Sequence, residues 1–350
     1  MTDALKRYAD QLERERSLTL GEYEQLIRLR TDEAATHLAR KADRVRRAVY
    51  GDAVFIRGLV EVGNACRNDC YYCGIRRSNA RCERYRLTKE QILACCARGY
   101  PLGFRTFVLQ GGEGVYPVRE VTSIVEAIKA RYPDCAVTLS LGEYARADYA
   151  RMRDAGADRY LLRHETADAA HYARLHPPGM SFDERMRCLY DLRELGFQVG
   201  CGFMVGSPYQ TPETLAKDLK FIEAFAPDMC GIGPFIPQKD TPFRDMPAGT
   251  AELTIYLLSI VRLIVPNVLL PATTALGTIA EGGREAGIRA GANVIMPNLS
   301  PPSERGKYTL YDNKLSTGVE SAQGLDRLKQ SMAAIGYEVV TARGDVAKQI

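Results

Sequence analysis

Strand-like and helix-like segments alternate along most of this chain, and that alternation limits the possible folds more than any other feature. Eight short apolar, β-rich runs are separated by segments with the apolar spacing of amphipathic helices. The predicted strands cover residues 54–62, 105–109, 136–141, 160–163, 198–205, 229–235, 268–272 and 293–296. A strand followed by a helix, repeated eight times, predicts an α/β protein whose parallel sheet closes into a (β/α)8 TIM-type barrel.

A doubly wound open sheet is the alternative fold, and the two folds distribute their loops differently. An open sheet concentrates its glycine-rich loop after one strand, whereas polar or glycine-rich segments follow nearly every predicted strand here. Three helical patterns precede the first strand. We therefore predict a helical N-terminal extension over residues 1–50 and one barrel domain over residues 51–350 that includes a C-terminal helix.

Composition and charge exclude several classes of function. The excess of 47 basic over 43 acidic residues is too small to indicate nucleic-acid binding. The longest apolar stretch, 253–270, contains Arg262 and Pro266, and an arginine at mid-bilayer costs about 2.5–3.5 kcal/mol on insertion scales. The first sixteen residues carry charges of both signs and lack the apolar core of a secretory signal. We expect a cytoplasmic protein that binds neither membranes nor nucleic acids.

The ten cysteines include a closely spaced trio directly after the first predicted strand. Cys66, Cys70 and Cys73 lie within eight residues of sequence. Structural zinc sites and ordinary cubane iron–sulfur clusters take four ligands, and Cys82 lies nine residues further on, in an arginine-rich stretch. The spacing favours three cysteines on three irons of a four-iron cluster, with the fourth iron open to a ligand. Three unrelated loop cysteines are the alternative.

The cysteine trio and a second motif resemble the radical S-adenosylmethionine (SAM) superfamily. Cys-x3-Cys-x2-Cys with Tyr72 before its last cysteine is similar to the cluster motif, and Gln110-Gly111-Gly112-Glu113 is similar to the glycine motif. Longer segments resemble, within that superfamily, the HydE family of [FeFe]-hydrogenase maturases. Those segments are residues 70–76, 161–166, 231–237, 271–274 and 293–298. Many HydE proteins carry further cysteines near the C-terminus, but none follows Cys230 here, so we expect no accessory cluster.

The resemblance implies a [4Fe-4S] cluster held by the trio, with SAM at the open iron, where its reductive cleavage yields a 5′-deoxyadenosyl radical. The backbone of Gly111 and Gly112 can approach a ligand closely because glycine has no Cβ. Glu165 is similar to the acid that holds the ribose hydroxyls, and Arg185 is similar to the arginine that faces the methionine carboxylate. The other SAM contacts implied by the resemblance are Tyr72, Gln110, Glu113, Thr138, Ser140 and Met296.

A second set of residues matches the substrate site of HydE-like barrels: Arg163, Thr273, Thr274 and Tyr311. A guanidinium with several hydroxyls suits the carboxylate of an amino-acid-derived ligand, although the threonine pair alone is typical of ordinary β-rich segments. The resemblance implies a small organometallic substrate, a cysteine-bound iron carbonyl cyanide made by another hydrogenase maturase. It also implies an electron donor such as ferredoxin or flavodoxin.

Two other functions remain open at this point. Methylornithine synthase, which isomerises lysine, belongs to the same superfamily but departs from this chain over residues 73–76 and 163–165. A non-catalytic iron–sulfur carrier needs only the cysteines and gains nothing from Arg163, Glu165, Arg185 or the glycine motif. We therefore predict a radical SAM enzyme of the HydE type.

Overall fold

Parallel strands close into a ring in the computed structural model, which describes residues 2–315 and 322–348. The strands in this part of the chain are β1 (Ala53–Ile56), β2 (Gly58–Gly63), β3 (Thr106–Gly111), β4 (Ala136–Ser140), β5 (Arg159–Leu161), β6 (Gln198–Cys201), β7 (Met204–Val205), β8 (Met229–Cys230), β9 (Gly233–Pro234), β10 (Val294–Ile295) and β11 (Glu338–Val340). β1 and β2 are two parts of the first barrel strand, as are β6 and β7 of the fifth and β8 and β9 of the sixth.

The ring closes between the first and the last barrel strand. Six strands pair in the order β2-β3-β4-β5-β6-β8, and all are parallel. β1, which belongs to the same barrel strand as β2, pairs parallel with β10 and so joins the first barrel strand to the last. Single bridges from Met229 to Leu269 and from Pro271 to Val294 connect β8 to β10. The predicted (β/α)8 barrel is confirmed.

The predicted seventh strand, 268–272, is present only as these single bridges. Leu269 donates its N–H to Asp228 O at 2.9 Å, and Ala272 donates its N–H to Val294 O at 3.0 Å, so the segment does bond to both neighbours. Pro271 between them has no N–H, and a proline cannot donate to a sheet ladder. The segment therefore fills the seventh position of the ring without forming a regular strand.

Helices alternate with the strands and cover the outside of the ring. They are α1 (Asp3–Glu15), α2 (Leu20–Arg28), α3 (Asp32–Tyr50), α4 (Lys89–Gly99), α5 (Val118–Arg131), α6 (Arg146–Asp154), α7 (Ala169–Leu175), α8 (Phe182–Glu194), α9 (Pro212–Phe225), α10 (Ala251–Ile264), α11 (Thr274–Ile279), α12 (Gly283–Arg289), α13 (Pro302–Arg305) and α14 (Leu325–Ala334). Capping boxes at Thr88 and Thr211 begin α4 and α9, because in each the cap hydroxyl and the third helical side chain bond the backbone reciprocally. None of the helices in the described ranges is long and apolar enough to span a membrane.

The three N-terminal helices pack on the barrel through a shared apolar core. Leu12, Leu26 and Leu38 are buried in the same cluster as the residues between the sheet and its helices. Tyr256 of α10 donates a 2.8 Å hydrogen bond to Leu26 O, and Tyr23 of α2 donates one of 2.9 Å to Glu223 of α9. This packing places the helices on the flank of the barrel formed by α9 and α10.

The strand β11 was not predicted from the sequence. It pairs parallel with β1, from Ala53 opposite Glu338 to Phe55 opposite Val340. The residues that follow it contact the amino ends of the barrel strands: Arg159 is fully buried and pairs with Asp345 at 2.6 Å. The segment 338–347 thus covers the end of the barrel opposite the loops that carry the predicted site residues.

Candidate cofactor site at the carboxyl ends of the strands

The segment 64–77, which we name the cysteine loop, follows β2 and is held in place by its own polar groups. Asn64 Nδ2 donates to Glu83 O at 2.8 Å and to Lys307 O at 2.7 Å. Within the loop, the Arg76 guanidinium donates two hydrogen bonds of 2.8 and 2.7 Å to the Asp69 carboxylate and holds the pKa of that carboxyl well below its usual range. The loop is therefore shaped by bonds that do not use its cysteines.

The three cysteine thiols of this loop are free, half-buried and close enough to influence one another. The pKa of the Cys70 thiol is raised to about 12, mainly by burial. The neighbouring Arg185 guanidinium opposes this rise, whereas Cys66 adds to it. Burial likewise raises the pKa of the Cys73 thiol, and the nearby Cys70 and Cys66 raise it further. Metal coordination requires the thiolate, so iron binding must displace these protons. In residues 2–315 and 322–348, no three Cys, His, Asp or Glu side chains converge as a single metal ion requires.

Cys82 has different surroundings. Its sulfur accepts a hydrogen bond from Asn64 Nδ2 at 3.5 Å, and its charged neighbours are Arg84 and Asp240. Cys82 thus contacts the first residue of the cysteine loop, and its exclusion from the cluster ligands stays a prediction.

The glycine motif packs directly against the cysteine loop. A Cβ on Gly112 would lie 2.1 Å from Ala65 O and 2.8 Å from Cys66 Cβ, so no side chain fits there. Next to it, Glu113 Oε1 accepts a 2.8 Å hydrogen bond from Arg67 Nε, and Oε2 accepts one of 2.9 Å from the Glu143 N–H. The Glu113 carboxylate therefore fastens the motif to its neighbours, and its contact with SAM stays a prediction.

Four charged side chains meet at the end of β5. Arg163 Nη2 lies 3.2 Å from Glu165 Oε2. Both residues follow the last residue of β5, and Glu165 adopts a φ of 66°. Arg185 donates to Arg163 O at 2.7 Å and forms an ion pair with Glu143. Although burial disfavours its charged form, Glu143 keeps the pKa of Arg185 above its ordinary value. Glu143 was not among the predicted site residues, because only the fold brings it to Arg185.

The predicted polar contacts on β3 and β4 are Gln110 and Gly111 at the end of β3, Thr138 in the middle of β4 and Ser140 at its end. Thr138 Oγ1 is buried and has no hydrogen-bond partner among the described residues. Ser140 ends β4 and is half-buried. Gln110 Nε2 lies 3.5 Å from the hydroxyl of Tyr308, a residue that was not predicted as part of the site. These groups line one side of the barrel mouth.

Tyr72 and Met296, the predicted neighbours of adenine, belong to two separate apolar clusters. His176 Nδ1 donates to Tyr172 O at 2.9 Å, so its Nε2 accepts the 3.1 Å hydrogen bond from the Tyr72 hydroxyl. Burial lowers the pKa of His176 to about 3, which keeps that ring neutral. Met296 packs against Met229 and Leu269 in the barrel interior.

Two of the predicted substrate residues, Thr273 and Thr274, lie at the start of α11. Thr273 caps this helix, with its hydroxyl accepting from Leu276 N at 3.4 Å, and Thr274 begins it. Burial raises the pKa of Tyr311, whose hydroxyl bonds Thr278 of the same helix and feels the positive charge of Arg163. The structure thus brings Arg163, Tyr311 and α11 to one part of the mouth. Thr278 was missed because nothing in its sequence context distinguishes it.

A buried ion pair inside the mouth was also missed. Glu61 of β2 is fully buried, accepts a 2.9 Å hydrogen bond from Asn298 Nδ2, and pairs with Lys314 from the segment that crosses the mouth. An acidic residue within a predicted buried strand was the available signal. Its partner, 253 residues away, could not be inferred.

His164 points away from the site. Its Nε2 lies 3.3 Å from Asp218 Oδ1 of α9, and its Nδ1 accepts a 3.2 Å hydrogen bond from Gly202 N. Burial lowers the pKa of His164 to about 3. The ring therefore packs between sheet and helix layer as a neutral group.

Comparisons with known proteins agree with these features. The Radical SAM superfamily profile matches residues 60–222. The [FeFe] hydrogenase maturase subunit HydE of Thermotoga maritima is 47% identical over 279 residues, 79% of each chain. A 3-methylornithine synthase of Methanosarcina barkeri is 30% identical over 303 residues, 85% of this chain and 84% of that protein. The solved structure of methylornithine synthase (PylB) aligns with a TM-score of 0.83 at 25% identity, covering 95% of this chain and 97% of its own.

The trio and the glycine motif both lie inside the segment that matches the superfamily. The identity to HydE extends well beyond that segment, over most of the barrel. The chain is therefore a radical SAM enzyme, and it belongs to the family of the [FeFe]-hydrogenase maturase HydE.

Proposed function

We propose that this enzyme holds a [4Fe-4S] cluster through Cys66, Cys70 and Cys73, cleaves SAM reductively, and acts on a cysteine-derived iron carbonyl cyanide precursor. The product would enter the active-site cluster of an [FeFe]-hydrogenase. The likeness to HydE supports the reaction. The observation that carries the substrate class is the Arg163 guanidinium close to Tyr311, whose hydroxyl bonds Thr278 of α11.

The residues at the barrel mouth fit the two cofactors that the superfamily uses. Three thiols share one loop, and Gly112 lets the glycine motif pack directly against that loop where a side chain would not fit. Thr138 Oγ1 is buried without a hydrogen-bond partner in the described part of the chain, whereas Glu165 Oε2 is paired with Arg163. Buried polar groups are nearly always hydrogen-bonded, so the Thr138 hydroxyl supports the binding of a polar ligand.

When bound, the reduced cluster supplies the electron that cleaves SAM and yields a 5′-deoxyadenosyl radical. The side chains around it bind and orient. Glu165 would accept hydrogen bonds from the ribose hydroxyls, and Arg185 would attract the methionine carboxylate while Glu143 holds its guanidinium in place. Tyr72 and Met296 would flank the adenine, and the apolar side chains around Tyr72 would exclude water from it.

The substrate carboxylate would bind near Arg163. The Nε atom of that guanidinium is buried and has no hydrogen-bond partner among the described residues. Charge-assisted hydrogen bonds are about twice as strong as neutral ones, so a carboxylate that reaches this atom gains both charge compensation and a bond. The hydroxyls of Thr273 and Thr274 would add weaker contacts from α11.

Anoxic reconstitution with iron and sulfide tests this proposal. With dithionite and SAM, the protein should form 5′-deoxyadenosine, and with the product of a partner maturase it should release a product that supports hydrogenase assembly. Thr273→Val should keep 5′-deoxyadenosine formation and reduce that release. A reconstituted protein that contains a full cluster and does not cleave SAM would contradict the proposal.

Lysine isomerisation is the second candidate, because the 3-methylornithine synthase relative covers most of this chain. The same reconstituted enzyme should form no methylornithine from lysine. Detection of methylornithine would make lysine isomerisation the favoured function.

A further inference from the structure

A groove lined mainly by basic residues opens beside the cysteine loop. Its volume is about 640 Å³, and we name it the loop groove. The charged residues that line it are Arg76, Arg81, Lys239, Asp240 and Arg244. The Arg81 side chain is 81% exposed, and Arg244 is 60% exposed. Four basic side chains therefore border the groove, and two of them are paired with carboxylates: Arg76 with Asp69 and Arg81 with Asp240.

The inner wall of the loop groove is the cysteine loop itself. Arg77 donates its backbone N–H to Asn68 O at 2.8 Å, between the first two cysteines. Asn79, in the floor of the groove, donates to Gly74 O at 2.7 Å, directly after Cys73. A molecule seated in the groove would thus lie against the outer face of the loop that carries the three thiols.

The charge of this region is a local concentration. Residues 76–81 and 239–245 contain five basic side chains and two acidic ones, whereas the whole chain is nearly balanced at 47 to 43. Asp240 accepts a 2.7 Å contact from Arg81, and Asp245 lies 3.3 Å from Arg244. Together with Asp69, which pairs with Arg76, these carboxylates offset three of the five positive charges. Arg77 and Lys239 remain as a net positive charge, so the surface beside the loop favours an anionic partner.

We propose that the loop groove docks an acidic electron-carrier protein. The inference rests on the proposed function, because a cluster that cleaves SAM must be reduced from outside the enzyme. Electron transfer slows steeply with distance, so a carrier must bind near the cysteine loop. Complementary charge raises the rate of encounter, and weak electron-transfer complexes use small interfaces. A basic groove against the outer face of the loop meets both requirements.

The test uses the cluster-loaded enzyme and an acidic flavodoxin. The double variant Arg81→Gln/Lys239→Gln removes two positive charges from the groove without touching a predicted cofactor or substrate contact. Its affinity for oxidised flavodoxin should fall about tenfold at low ionic strength. That difference should vanish near 1 M salt, where the screening length is about 3 Å. 5′-Deoxyadenosine formation should slow with reduced flavodoxin and stay unchanged with dithionite, which needs no docking surface.

The control Arg119→Gln/Lys329→Gln removes two exposed basic residues from α5 and α14, outside the loop groove. It should behave as the wild type. Unchanged flavodoxin binding in the groove variant, an equal loss in the control, or a proportional loss with both reductants would overturn the proposal. A wild type that fails to cleave SAM with dithionite would instead contradict the proposed function, while the binding titration would still decide the docking surface.

Discussion

Gly112→Ala should remove the cluster while leaving the fold intact. The added Cβ would lie 2.1 Å from Ala65 O, whereas ordinary contacts begin near 3.4 Å, so one of the two backbones must move by about 1 Å. Because the neighbour is a backbone oxygen, no side-chain rotation relieves the contact. The displaced segment is the start of the cysteine loop, and Cys66 lies immediately beyond it.

The cost follows from overpacking. Extra methyl groups in well-packed regions typically cost about 1–3 kcal/mol, which corresponds to a roughly 5- to 150-fold loss of cluster affinity if the strain falls on the loop. Iron content, the visible absorbance of the cluster and 5′-deoxyadenosine formation should all fall after reconstitution. The far-UV circular dichroism spectrum should not change, because the regular elements lie outside the loop.

Gly21→Ala is the matched control. A Cβ at Gly21 would have no atom within 4 Å, and the residue lies in α2, far along the chain from the cysteines. That variant should bind the cluster as the wild type does. Full iron content and normal SAM cleavage in Gly112→Ala would refute the reasoning, since they would show that the close approach of motif and loop is not required.

Four further outcomes are expected. Cys70→Ala should lose the cluster and Cys82→Ser should keep it, as measured by iron content and visible absorbance; the reverse pattern would contradict the ligand assignment. Glu165→Gln should weaken SAM binding by roughly 1.5–3 kcal/mol, the value of a hydrogen bond to a charged group, and an unchanged titration curve would count against it. Arg163→Ala should still cleave SAM but lose maturation by roughly 3–5 kcal/mol of substrate binding, whereas parallel loss of SAM affinity would place this residue at the cofactor. Because burial lowers the pKa of His164 from 6.5 to about 3, its neutral form stabilises the fold above pH 6.5, and this contribution is lost as the pH falls. When the pH falls from 7.5 to 5.5, the free energy of unfolding should therefore decrease by about 1 kcal/mol more in the wild type than in His164→Asn. Equal decreases in the two proteins would disprove this.

The barrel was predictable because its signal is repeated and local. Each strand–helix unit carries its own apolar spacing, and capping boxes such as that at Thr88 mark helix starts independently of the fold. β11 gave no such signal, since it has three residues that are exposed or half-buried. It exists only because β1 offers an unpaired edge. The seventh strand was predicted from its apolar residues, but Pro271 prevents a regular ladder.

The candidate site was predictable where residues are close in sequence. The cysteine trio and the glycine motif are each a short run, whereas their packing through Gly112 depends on the fold. Partners that join distant segments were missed: Glu143 reaches Arg185, and Lys314 reaches Glu61, only in the closed barrel. The resemblance supplied the residues predicted to bind, and the structure added residues that contact them.

The pairing of β1 also means that the barrel can close only after nearly the whole chain has been synthesised. Both of its neighbours come late in the chain, since Phe55 lies opposite Val294 on one side and Val340 on the other. At about 5–20 residues per second, a ribosome needs roughly 15–50 s to pass from Cys73 to Val340. During that interval β1 lacks at least one of its two partners, and the barrel that supports the cysteine loop is not closed. Iron should therefore be delivered to this protein after translation. Iron supplied earlier would meet a cysteine loop that the rest of the barrel does not yet hold in place.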